Sequence, residues 1–239
     1  TRDVQRKVEI AGTLAAWHEI TVSNESAGTI DKISVDLGDA VKSGQVILKL
    51  DQKDAISNLE AQEAGLKTNE RAYERAKALW LDAQTNLKRY TSLFAEGVAS
   101  KKDMDAVQTQ YDVQEAILKQ AEASVNQSKA FVSIAKKRVS DTEVISPISG
   151  EVKKRLVSLG ETIKDKTPLF VIVKNDPLKL KAQVSEQFLK DIKIGQSVMV
   201  YIDAFSGTEF NGVVARVSPA VDEKTRGMDV EIKISNSKK

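Results

Sequence analysis

Chemistry has few places to begin in this chain. Of its 239 residues one is histidine, His18, and none is cysteine. Thiol nucleophiles, disulfides, Cys/His zinc sites and His-paired bases are therefore excluded. Met104, Met199 and Met228 lie far apart in sequence, which leaves thioether binding of a soft metal unsupported. The stretch GETIKDKT, 160–167, ends in Lys-Thr as a phosphate-binding loop does. Asp165, however, stands where such a loop needs Gly, and its carboxylate repels phosphate. His18, beside Trp17, reads as a strand residue. No catalytic residue, cofactor site or metal site is expected, so the chain reads as a non-enzyme. Lys and Arg total 36 against 34 Asp and Glu, a net charge of +2. No global field draws such a chain to nucleic acid.

With catalysis set aside, the pattern of elements carries the argument. GTIDKISVDLGDAVKSGQVILKL at 28–50 is answered without a gap by GEVKKRLVSLGETIKDKTPLFVI at 150–172. At an offset of 122, Gly28 meets Gly150, Val35 meets Val157, Gly38 meets Gly160 and Val41 meets Ile163. Short alternating runs with Leu-Gly-acid turns predict small antiparallel strands. One half cannot cover its own apolar face, so two halves are expected to close into a sandwich.

Between the halves lie two heptad seams. Leu59, Leu66, Tyr73, Trp80, Leu87 and Phe94 recur every seven residues, as do Met104, Tyr111, Leu118, Val125, Val132 and Val139. Small residues follow three positions later, Ala76 and Ala83 on one arm, Ala121, Ser128 and Ala135 on the other. Phe94 matches Met104, and so on down to Leu59 with Val139, in constant antiparallel register. Arms of about 40 residues make helices of roughly 60 Å. These seam residues read as structural. Gly97 suits a left-handed helix end, Ser100 with Asp103 suits the cap of the second helix, and Asp51 or Asp54 the cap of the first. Beyond residue 178, strand-like alternation with one short helix, SEQFLKDI capped by Ser185, predicts a small barrel. The segment VQRKVEIAGTL is expected to add a strand to it.

Two G…LG(D/E)x(V/I)K halves separated by a coiled-coil hairpin resemble the periplasmic adaptor subunits, or membrane fusion proteins, of tripartite efflux pumps. SPISGEV at 146–152 and the segment 195–234 are similar to the family's re-entry and β-barrel segments. The resemblance implies an α+β fold. Residues 1–22 give barrel strand, 23–52 a first lipoyl-like half, 53–143 the hairpin with its tip at about 95–101, 144–176 the second half and 177–239 the barrel. Joins near 22–26 and 175–178 are expected to flex. Adaptors that dock to TolC-like outer-membrane channels carry, at the hairpin tip, Arg, then Leu four residues on, then Ser seven further. Here those are Arg89, Leu93 and Ser100.

What the resemblance implies about function is an inner-membrane transporter of the resistance-nodulation-division (RND) class, joined to such a channel through a hexamer in the periplasm. An ABC-type exporter is the alternative transporter. The family also implies a membrane-proximal domain after this chain and an anchor before it. A lipoyl or biotinyl carrier, with Lys53 in LDQKDA as the modified lysine, is the rival of another kind. It is disfavoured because the second half begins about a hundred residues later, so no tight turn between halves presents that lysine.

Overall fold

In the computed structural model the described residues are 9–185, 188, 191–203, 208–222 and 227–236. They form two compact units, residues 1–48 with 144–239, and residues 49–143.

The first unit is β-structure. Its strands are β1(Gly12–Ser23), β2(Gly28–Ile33), β3(Ala40–Val41), β4(Val46–Leu50), β5(Glu143–Ile145), β6(Gly150–Arg155), β7(Thr162–Ile163), β8(Pro168–Ser185), β9(Ser197–Tyr201), β10(Glu209–Asp222) and β11(Gly227–Ile234). The internal repeat closes by exchange. β3 of the first half pairs with β6 of the second, and β7 of the second pairs with β2 of the first. The loops do the same: Gly38 donates its N–H to the Val152 carbonyl at 2.9 Å, and Gly160 to the Ile30 carbonyl at 3.0 Å. Equivalent residues are buried alike, Ile30 with Val152, Ile47 with Leu169 and Leu48 with Phe170. Gly150 permits this closeness, because a Cβ there would collide with the Val173 carbonyl oxygen.

A long shared strand alters the expected division. β8 pairs with β6 through Phe170–Val173 and with β11 through Leu178–Ser185. Sandwich and barrel therefore share a seven-stranded sheet ordered β3-β6-β8-β11-β10-β9, with β1 beside β8. β1 was expected in the barrel alone, yet Gly12–Ala16 lie against Leu178–Ala182 while His18–Val22 lie against Phe170–Lys174. The register of the ladder shifts between Ala16 and His18 and again between Val22 and Ser23. Even so, the stretch 22–26 is not loose. Asn24 is 2% exposed and donates to the Ser26 and Lys164 carbonyls, both at 2.7 Å, while its Oδ1 accepts from the Thr167 N–H at 2.8 Å. A buried amide with its bonds filled fixes the backbone it touches.

The barrel strands enclose Val184, Val200, Val214, Val230, Ile232 and Ile234, the inward members of alternating runs. Half of the expected helix SEQFLKDI, residues 186, 187, 189 and 190, lies outside the described residues. Ser185 ends β8, paired with Gly227, and the helix it was expected to cap falls largely on those residues.

The second unit is the hairpin, α1(Lys53–Ala95) and α2(Lys101–Ser140). Val125 and Val132 of the seam are buried, as are Ala76, Ala83 and Ala135. Leu59, Leu66, Tyr73, Trp80, Leu87, Met104, Tyr111, Leu118 and Val139 are half-buried. Large side chains thus close over small ones, which a two-helix layer needs because it has no third element to cover its sides. Asn69 donates to Ser128 at 2.7 Å and Lys136 pairs with Glu63 at 3.3 Å. Both contacts keep the antiparallel register to within one residue. Where a helix cap from Asp51 or Asp54 was expected, Gln52 occupies the cap position with no side-chain bond to the helix N–H groups; its amide donates to the Thr142 hydroxyl at 2.7 Å. Asp51 instead accepts from the Lys53 N–H at 3.0 Å. Next to the helix ends, Lys49 of β4 pairs with Glu143 of β5 at 2.6 Å. Its hydrogen bond to Glu143, and then its charge, hold that carboxyl below the usual range despite partial burial.

Candidate functional site

The tip begins where α1 must stop. Gly97 has φ +77°, a left-handed conformation that costs a side-chain-bearing residue about 1–2 kcal/mol. With Glu96 as the C-cap, Gly97 donates to the Phe94 carbonyl at 3.0 Å and Val98 to the Leu93 carbonyl at 2.9 Å. Those two bonds are the Schellman pattern, which satisfies carbonyls that a bare helix end leaves open.

Two residues later Ser100 caps α2, which starts at Lys101. Its extended backbone (φ −77°, ψ 157°) lets Oγ accept from the Asp103 N–H at 3.2 Å while its hydroxyl donates to Asp103 Oδ2 at 2.6 Å. The turn 96–100 is therefore tied at both ends, and the side chains around it are presented on a fixed backbone.

Arg89 is exposed, and no acceptor within the described residues engages it. Leu93, four residues on and so on the same face of α1, is half-buried. Ser100 lies across the turn with its hydroxyl engaged as a cap. The three residues belong to one tip, two on the last turns of α1 and one at the start of α2. A guanidinium fork beside an apolar side chain can grip a protein surface that offers carbonyls or carboxylates next to an apolar recess.

Two features differ from the sequence expectation. Phe94 falls at a seam position but is 46% exposed, while Met104, which the register sets opposite it on α2, is half-buried. Val98 went unnoticed and is 72% exposed. An apolar residue directly after a helix-ending Gly was the available signal, since that position ordinarily packs back on its helix. The tip also gathers Lys88, Lys101 and Lys102, all exposed. The last two occupy the first turn of α2, where the helix dipole disfavours cations.

Elsewhere the candidates for chemistry remain isolated. Lys53 is the first residue of α1, 3.8 Å from Asp51, with its side chain 89% exposed. His18 lies on β1 with its ring 6.3 Å from that of Trp17. Met199 is exposed on β9. Among the described residues no group of three or more His, Asp or Glu side chains is placed to hold a metal ion, and no helix is long and apolar enough to cross a membrane.

Comparison with known proteins returns two family profiles. Residues 18–174 match the CzcB-like barrel-sandwich hybrid domain and residues 178–239 the CusB-like beta-barrel domain. Nodulation protein NolF of Rhizobium meliloti is 28% identical over 98% of this chain and 60% of its own length. Macrolide export protein MacA of Yersinia pestis is 27% identical over 93% of this chain and 61% of its own. The chain thus spans about three fifths of the length of these relatives. Among solved structures, MacA from Actinobacillus actinomycetemcomitans superimposes with a TM-score of 0.82 at 22% identity, over 97% of this chain and 73% of that one.

Proposed function

This chain belongs to the membrane fusion proteins, or periplasmic adaptors, and from that premise we propose that it links an inner-membrane efflux transporter to a TolC-like outer-membrane channel. Its work is mechanical and not enzymatic. Copies gather in the periplasm as a ring of six, and their hairpins form the wall of a sealed duct. The observation that carries this reading is the tip: Arg89 exposed and unengaged, Leu93 beside it, and Ser100 across a turn bound at both ends. Such a tip has little contact area, so a single copy binds weakly and the ring supplies avidity. For the transporter we assign the RND class, supported by two uninterrupted helices in the hairpin and by the CusB-like match of the barrel.

The test is photo-crosslinking in cells from a probe at position 100 of the full-length protein, with mass spectrometry of what is captured. Capture of an outer-membrane channel is expected. Capture of acyltransferase or dehydrogenase subunits, or nothing above background, would overturn the docking reading. Copurification with an ATP-hydrolysing transporter would replace the assigned class and leave the tip's role intact.

A further inference from the structure

The turn between the two helices displays an apolar side chain that its own fold leaves uncovered. In the pattern that ends α1, the residue after Gly97 ordinarily packs back on the residue three before the cap, here Leu93. Val98 makes the backbone half of that arrangement, donating to the Leu93 carbonyl at 2.9 Å, and Ala99 donates to the same oxygen at 3.2 Å. The Val98 side chain nevertheless stays 72% exposed. Its neighbours Gly97 and Ala99 are small, so nothing beside it in sequence shields it. Phe94, 46% exposed, adds apolar surface on the last turn of α1.

Cations flank this knob on both sides. Lys88 and Arg89 precede it on α1, and Lys101 and Lys102 follow it on α2. All four are exposed, and among the described residues no carboxylate pairs with any of them. Of the three acids in the same stretch, Asp103 is engaged by the Ser100 hydroxyl at 2.6 Å, while Glu96 and Asp105 are exposed. Lys101 and Lys102 fill the first two positions of α2, directly after the Ser100 cap, where the partial positive charge of a helix start favours acids. They weaken the helix they begin, so helix formation does not account for them.

We infer that Val98 is the apolar anchor of the tip, and that Lys101 and Lys102 select a channel surface whose apolar recess is rimmed by carboxylates. The inference rests on the docking proposed above and names what the channel must present there. Val98 suits an anchor because little is left to order. Its backbone is tied at the Leu93 carbonyl, and a β-branched side chain has few rotamers to lose. An anchor of this kind carries binding when it fills a recess from which water is expelled. The lysines stay at the rim, where they steer the approach and reject a recess edged by cations. Glu96 and Asp105 lie among these cations, and a uniformly anionic lipid surface would repel them. A discrete protein surface, with carboxylates only opposite the lysines, does not.

The crosslinking probe at position 100 of the full-length protein reports both parts. Val98→Ser should lower capture of the channel about tenfold, and Val98→Leu should keep it, with the unfolding midpoint unchanged in both. Lys101→Glu with Lys102→Glu should lower capture by about tenfold or more, while the midpoint holds or rises because acids suit a helix start. A purely structural role predicts instead that capture follows the midpoint. Capture by the lysine variant should return when the carboxylates around the crosslinked site of the channel are changed to lysine. If the parent captures a channel and these variants capture it equally, or if the crosslinked site carries no carboxylates, the inference falls and the docking reading stands. If the parent captures no channel, both fall. Binding of the purified protein to phosphatidylglycerol vesicles that the lysine changes abolish, with channel capture unmoved, would assign the tip cations to lipid and overturn the inference.

Discussion

The Val98 N–H points back to the Leu93 carbonyl at 2.9 Å, while the Val98 side chain is 72% exposed. Backbone and side chain thus part company at this turn: the first ends a helix and the second faces outward. The conformation depends on Gly97 at φ +77°. Gly97→Val should destabilise the hairpin by about 1–2 kcal/mol, seen as faster amide exchange at 96–99 with little change in the sandwich strands.

Ser100 has two separable roles, cap and contact. Ser100→Ala should cost the hairpin about 1 kcal/mol in thermal unfolding. Ser100→Asp should keep the cap, because a carboxylate also accepts from the Asp103 N–H, although it now faces the Asp103 carboxylate. If channel capture survives Ser100→Asp and is lost in Ser100→Ala, the serine acts through the cap alone.

Arg89 has no partner to lose within the described residues, so reversing its charge tests contact rather than stability. Arg89→Asp should lower capture of the channel from a tip probe at position 98 by about tenfold or more. The unfolding midpoint should stay unchanged. Undiminished capture would remove Arg89 from the docking surface.

Within the hairpin, Gln114 Oε1 is buried without a hydrogen-bond partner among the described residues, as is Trp80 Nε1. An unpaired buried acceptor carries its desolvation cost, about 1–3 kcal/mol. Gln114→Leu, of similar volume, should therefore raise hairpin stability by about 1 kcal/mol. A lower unfolding midpoint would show that the oxygen is satisfied after all.

The Lys49–Glu143 pair predicts a modest acid sensitivity. Lys49 holds the Glu143 carboxyl below its usual range. The stabilisation is therefore complete above the unfolded value of about 4.3 and is lost as pH falls through the lower folded value. With side chains 40% and 33% exposed, the pair contributes under about 1 kcal/mol. Glu143→Gln should show a smaller drop in unfolding midpoint than the parent between neutral pH and about pH 3. An equal drop would show that the pair is screened out.

Much of this protein is legible in its sequence, for physical reasons that are local. A heptad at Leu59 to Phe94 and again at Met104 to Val139 specifies two helices that need each other, since spacing alone puts those side chains on one face. Gly97 and Ser100 mark the turn because only certain residues suit a left-handed end and an extended cap. The absence of cysteine and the single histidine rule out whole classes of chemistry before any folding is considered.

Tertiary structure decided what depends on partners distant in the chain. The sequence shows that residues 28–50 and 150–172 are alike, but the exchange of β3 with β6 and of β7 with β2 is a choice among pairings that alternation leaves equal. It does not show that β8 serves sandwich and barrel together, which follows from its pairing with both β6 and β11, or that Asn24 is buried, which follows from Lys164 and Thr167, more than a hundred positions away. Phe94 is the clearest case. It stands at a heptad position, yet it is 46% exposed, and periodicity within one helix carries no knowledge of how closely its neighbour covers the last turn.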